Sequence, residues 1–143
     1  MTNKTSRVAL VVEDDPMLQR EMVKHLERAK FRVVTALDFD AAVRHLATIR
    51  PDVACIDLGL PRESGYELCE YIRSRLMLEW LPILVTSERS FPEDMAHAEE
   101  AGANAFLKKP FTMDQLRKYV FALLDGPHAS RPSVCRLRMS NDA

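Results

Sequence analysis

The chain has 143 residues, 47% hydrophobic and 29% charged, a balance that fits one globular domain with a sizeable core. Its net charge of −1 makes no general electrostatic case for nucleic acid or an anionic membrane, and no apolar run approaches the roughly 20 residues a spanning helix needs. Cys55, Cys69 and Cys135 are odd in number and scattered, which argues against a disulfide framework or a zinc site and for a reducing, cytoplasmic setting.

The polar start, residues 1–7, is not a secretory signal peptide and leads straight into the apolar run Val8-Ala9-Leu10-Val11-Val12, the pattern of a strand buried on both faces. Asp15 is a good helix N-cap and Pro16 suits the first helical position, so a helix is predicted over residues 16–29, with Met17, Leu18, Met22 and Leu26 turned inward. Residues 31–36 read as a second strand and residues 40–49 as a helix that Pro51 ends. Val53-Ala54-Cys55-Ile56 is a third strand closed by Asp57. A loop with Gly59, Pro61 and Gly65 follows, then a helix over residues 66–74. A fourth strand, residues 83–85, ends at Thr86, and the helix over 92–101 stops at Gly102. The short strand 105–107 ends at Lys108-Lys109-Pro110, and a last helix spans 114–124. Strict alternation of five strands and five helices means an α/β protein: a five-stranded parallel sheet, doubly wound, over residues 1–125. Residues 126–143 lack a clear period and are expected to be a flexible tail.

The polar residues with chemical potential lie where the strands end: Glu13 and Asp14, Asp57, Thr86, and Lys109. In an open parallel sheet these ends line the ligand crevice, so the five should converge. Three carboxylates in one pocket repel and need positive charge. Lys109 supplies one, and a hard divalent cation such as Mg²⁺, which takes oxygen ligands, is the natural second. An aspartate beside a cation, a lysine and a hydroxyl can act as a covalent nucleophile toward a phosphoryl group.

Four blocks, Val11-Val12-Glu13-Asp14-Asp15-Pro16, Asp57-Leu58-Gly59-Leu60-Pro61 with Gly65, Leu84-Val85-Thr86-Ser87 and Phe106-Leu107-Lys108-Lys109-Pro110-Phe111, resemble in order and spacing the receiver domains of two-component response regulators. The resemblance implies the flavodoxin-like (βα)5 receiver fold and a stand-alone phosphoacceptor. Such a protein takes a phosphoryl group from a histidine kinase or histidine phosphotransfer protein and catalyses only its own phosphorylation and dephosphorylation. It implies Asp57 as the phosphorylated residue, with Mg²⁺ held by Asp14, Asp57, the Gly59 carbonyl and, through water, Glu13. Thr86 and Lys109 would bind the phosphoryl oxygens, and the Lys109–Pro110 bond would be cis. Thr86 and Phe106 would form the switch, Phe106 turning inward on phosphorylation to reshape the surface of the fourth helix, fifth strand and fifth helix for a downstream protein. Phenylalanine replaces the frequent tyrosine at that position and lacks its hydroxyl. Ser87 would line the pocket.

Asp15 is expected to cap, and Lys108 to be solvated. The histidines show no ligand spacing, and Cys55 and Cys69 read as packing residues. The apolar stretch Leu76-Met77-Leu78-Glu79-Trp80-Leu81 reads first as a flap on the neighbouring helix and second as a partner patch. A pseudo-receiver that only binds protein is the alternative function; the presence of Asp14, Asp57 and Lys109 speaks against it. An aspartate-phosphate hydrolase would carry an aspartate where Gly59 stands, and the arginines of the tail lack a helix-turn-helix pattern for DNA.

Overall fold

The computed structural model describes residues 6–125 and the backbone of residues 138 and 139. The elements alternate as β1 (Arg7–Val12), α1 (Pro16–Arg28), β2 (Phe31–Ala36), α2 (Phe39–Leu46), β3 (Val53–Asp57), α3 (Gly65–Ser74), β4 (Ile83–Ser87), α4 (Pro92–Ala101), β5 (Ala105–Lys108) and α5 (Met113–Asp125). All strand pairs are parallel, in the order β2-β1-β3-β4-β5. A two-residue strand, β6 (Arg138–Met139), pairs in parallel with Ala105 and Phe106 on the outer edge of β5. The rest of the segment expected to be a flexible tail lies outside the described residues.

Alternating side chains of the buried strands separate the core into two layers. Leu10, Val12, Ala54, Ile56, Ile83, Val85 and Phe106 pack under α2, α3 and α4. Ala9, Val11, Val53, Cys55, Leu84, Ala105 and Leu107 pack under α1 and α5, against Met22, Leu26, Leu116, Val120 and Leu123. Each fully buried Leu or Ile contributes about 1.5–3 kcal/mol, so the apolar runs specify both faces of the sheet at once.

Helix starts follow the local chemistry. The Asp15 carboxylate accepts from the Met17 N–H at 3.0 Å, with Pro16 in the first position. α2 begins earlier than expected because Asp38 caps it through the Ala41 N–H. Ser64 and Glu67 form a reciprocal capping box at the start of α3. Gly102, at φ 111°, ends α4 in the left-handed region.

The stretch after α3 is a packed flap: Leu81 is buried, and Leu76 and Leu78 lie against the core. Met77 is exposed, and the Arg50 guanidinium sits 4.6 Å from the centre of the Trp80 ring. Arg73 holds the flap in place. Its guanidinium donates to the carbonyls of Leu78 (2.6 Å), Leu81 (2.8 Å) and Gly102 (2.7 and 3.0 Å) and to Asn104 Oδ1 (2.9 Å).

Candidate functional site

The strand order reverses between β1 and β3, since the chain runs from β1 outward to β2 and then crosses back to β3. The carboxyl ends there open into a cavity of about 410 Å³. Glu13, Asp14 and Asp15 line it from the end of β1, Asp57, Leu58 and Gly59 from β3, Ser87, Glu88 and Arg89 from β4, and Lys109 from β5. Of the five residues expected to converge, Glu13, Asp14, Asp57 and Lys109 line this cavity, whereas Thr86 is buried in the sheet beside Asp57. Carboxylate oxygens of Glu13, Asp14 and Asp57 lie within 4.8 Å of one another.

Lys109 rather than Lys108 faces this group. Its Nζ is 3.3 Å from Asp57 Oδ2 and 3.2 Å from Glu13 Oε1, whereas Lys108 is exposed. The Lys109–Pro110 peptide is cis, as the resemblance implies. Asp57 is 5% exposed, and its Oδ1 accepts from the Gly59 N–H at 2.9 Å. Gly65 allows this corner to close: a Cβ there would lie 2.3 Å from the Asp57 carbonyl oxygen and 2.7 Å from Leu58 Cα. Thr86 pairs in register with Asp57 and is buried, while Ser87 is the hydroxyl residue that lines the cavity. Phe106 is already fully buried in the layer under α3 and α4. The expected inward turn on phosphorylation therefore has no outward starting point in this structure.

The electrostatics are those of an acidic pocket short of positive charge. Burial, then the neighbouring Asp57 carboxylate, push Glu13 up to about 7, against the lowering effect of Lys109. Burial and Asp57 also raise Asp14. For Lys109, burial alone would favour the neutral amine, but Asp57 and Glu13 together outweigh it and raise its pKa. Glu13 Oε1 is buried and accepts no hydrogen bond, although the Lys109 ammonium lies nearby. An orphaned buried carboxylate oxygen within an all-oxygen donor set fits a hard cation.

Tyr66, Glu88, Arg89 and Asp94 also line the cavity and were not legible in the sequence. The Tyr66 ring stacks on His97 at 3.7 Å between centroids, and its hydroxyl donates to the Asp94 carbonyl. Asp94 and Arg89 meet at 3.5 Å beside the cavity. None of these pairings follows a local sequence signal.

Comparison with known proteins gives a consistent result. The family model described as the response regulator receiver domain matches residues 9–121. The sensory transduction protein BceR of Bacillus subtilis is 34% identical over 119 residues, covering 83% of this chain and 50% of that protein. The transcriptional regulatory protein KdpE of Mycobacterium tuberculosis is 36% identical over 110 residues, covering 76% and 46%. The chain thus spans about half the length of these curated relatives. Among solved structures, the chemotaxis response regulator CheY4 of Vibrio cholerae superposes with a TM-score of 0.79 at 28% identity, covering 84% of this chain and all of that one. The receiver domain of a signal transduction histidine kinase from Syntrophus aciditrophicus gives 0.78 at 30% identity, covering 85% and 92%.

Proposed function

The chain belongs to the response regulator receiver domain family, and on that premise we propose that Asp57 is its phosphoacceptor, charged by a phosphohistidine donor. The observation that carries this reading is the placement of Asp57: nearly buried at the end of β3, within reach of the Lys109 ammonium at 3.3 Å and beside two further carboxylates. An Asp57 carboxylate oxygen attacks phosphorus, the nitrogen–phosphorus bond of the donor breaks, and the donor imidazole leaves with the bonding pair and takes a proton. Water then attacks the aspartyl phosphate and releases inorganic phosphate, which makes the protein a catalyst only of its own phosphorylation and dephosphorylation.

Mg²⁺ would be held by Asp14, Asp57 and the Gly59 carbonyl, with Glu13 acting through water; when bound it supplies charge neutralisation for the phosphoryl oxygens. The residues of this chain divide the remaining work. Lys109 sits between Asp57 and Glu13 and stabilises charge on the transferring group. The Gly59 N–H fixes one Asp57 oxygen, leaving the other toward Lys109. Thr86, in register with Asp57, donates its hydroxyl to the new anionic oxygens and shifts a pre-existing equilibrium of the α4–β5–α5 surface. That surface addresses a downstream protein. No helix among the described residues is long and apolar enough to cross a membrane, and the proposed setting is cytoplasmic.

The test is incubation of the whole chain with Mg²⁺ and phosphoramidate, read by intact mass. The expected result is gain of one phosphoryl group, lost in Asp57→Asn because an amide is a poor nucleophile. Equal labelling of Asp57→Asn would remove Asp57 from the mechanism.

A further inference from the structure

Lys109 is not alone. Among the described lining residues, Arg89 is a second cation at the same cavity. Its backbone N–H donates to Ser87 Oγ at 3.0 Å, which fixes where its side chain leaves the end of β4. The side chain is 67% exposed, lies 5.3 Å from the Phe91 ring centre and meets Asp94 Oδ1 at 3.5 Å. The Asp94 side chain is only 13% exposed, but 3.5 Å is long for a charge-assisted bond and the guanidinium end of the pair stands in solvent, so the contact is a weak one. A guanidinium bonded to a phosphoryl dianion forms shorter, charge-assisted bonds and is the stronger partner.

Asp94 keeps other partners when Arg89 leaves. Its Oδ2 accepts from the Phe91 N–H at 3.0 Å, so it keeps its role at the start of α4. Its backbone carbonyl also stays bonded to the Tyr66 hydroxyl. We propose that Arg89 is a binding residue for the phosphoryl group: once Asp57 is charged, the guanidinium leaves Asp94 and donates to the phosphoryl oxygens. The exchange makes and breaks no covalent bond. It carries the presence of phosphate to the first turn of α4, which Asp94 and Phe91 form. The inference rests on the phosphoacceptor reading of Asp57.

The test is calorimetric titration of the whole chain, saturated with Mg²⁺, with beryllofluoride as phosphoryl mimic. Arg89→Gln should weaken binding about ten-fold, the loss of one charge-assisted bond at an exposed position, and Arg89→Lys should restore part of it. Asp94→Asn should tighten binding a few-fold by removing the competing carboxylate. In the Arg89→Gln background the same Asp94→Asn change should have no effect. Unchanged binding by Arg89→Gln overturns the inference while leaving Asp57 in place. Equal tightening by Asp94→Asn in both backgrounds overturns the exchange, since Asp94 would then act only as a nearby negative charge. Failure of the unmodified chain to bind beryllofluoride at all overturns the phosphoacceptor reading itself.

Discussion

The Glu13 carboxylate lies 3.2 Å from the Lys109 ammonium, yet burial and Asp57 hold its pKa at about 7, so at neutral pH this ion pair is only part-formed. The folded protein therefore binds this proton more tightly than the unfolded chain, where the pKa is 4.5. The resulting stabilisation is complete below the unfolded value and is lost as pH rises through about 7. Asp14, also raised, acts in the same direction. With divalent cations chelated, the urea midpoint should be lower at pH 8 than at pH 6. A higher midpoint at pH 8 would contradict the assignment.

Glu13→Gln keeps the shape and removes the buried charge. At pH 8 without cation it should stabilise the fold by about 1–2 kcal/mol and flatten the dependence above. The same change should weaken Mg²⁺ affinity, measured by calorimetry, if Glu13 belongs to the cation site.

Lys109→Met has the opposite sign. It leaves Glu13 and Asp57 without their shared cation in a site where both are nearly buried. The loss should be about 2 kcal/mol at pH 8, measured by urea unfolding, and smaller at pH 6, where Glu13 takes up a proton. Saturating Mg²⁺ should recover part of it.

Gly65→Ala tests the corner that holds Asp57. The added methyl would meet the backbone of Asp57 and Leu58 at 2.3–2.9 Å, and backbone cannot rotate away as a side chain can. A cost of about 2–4 kcal/mol is expected, together with slower phosphoryl uptake from phosphoramidate, because Asp57 must shift. Unaltered stability and uptake would show that α3 can retreat without disturbing β3.

Arg73→Ala should cost about 3 kcal/mol in chemical denaturation, since it strips donors from the carbonyls of Leu78, Leu81 and Gly102 and from Asn104. Arg73→Lys should recover little, because one ammonium cannot span four acceptors arranged around a planar fork.

The strands and their order of chemistry were legible because residues 9–12, 53–57 and 83–87 are buried on both faces and stop at polar residues. Helix 1 was legible from Asp15 and Pro16, both local signals. The earlier start of α2 at Phe39 was missed because Asp38 was not recognised as the cap. The convergence of Glu13, Asp57 and Lys109 followed from one topological rule. Arg73 and the Tyr66–His97 stack did not, because each depends on a long side chain reaching an element about 30 residues away, and the Arg89–Asp94 pair did not, because it depends on how the loop between β4 and α4 folds back. β6 carries no periodic signal in two residues, and the resting burial of Phe106 was not legible because it is set by neighbours on other elements.

The two ends of α4 are anchored unequally. At its carboxyl end, Arg73 grips the Gly102 carbonyl twice and ties the turn into β5 to the flap after α3. Toward its amino end the ties are a Tyr66 hydroxyl bond at 3.3 Å, the stack of Tyr66 on His97 and the Arg89–Asp94 pair at 3.5 Å. A rod held more firmly at one end than at the other yields first by pivoting about the firm end. Its amino end is the one that meets the Asp57 cavity, through Asp94, and its firmer anchor is a full helix length away, so the phosphorylation proposed at Asp57 would act on the rod where its ties are weakest.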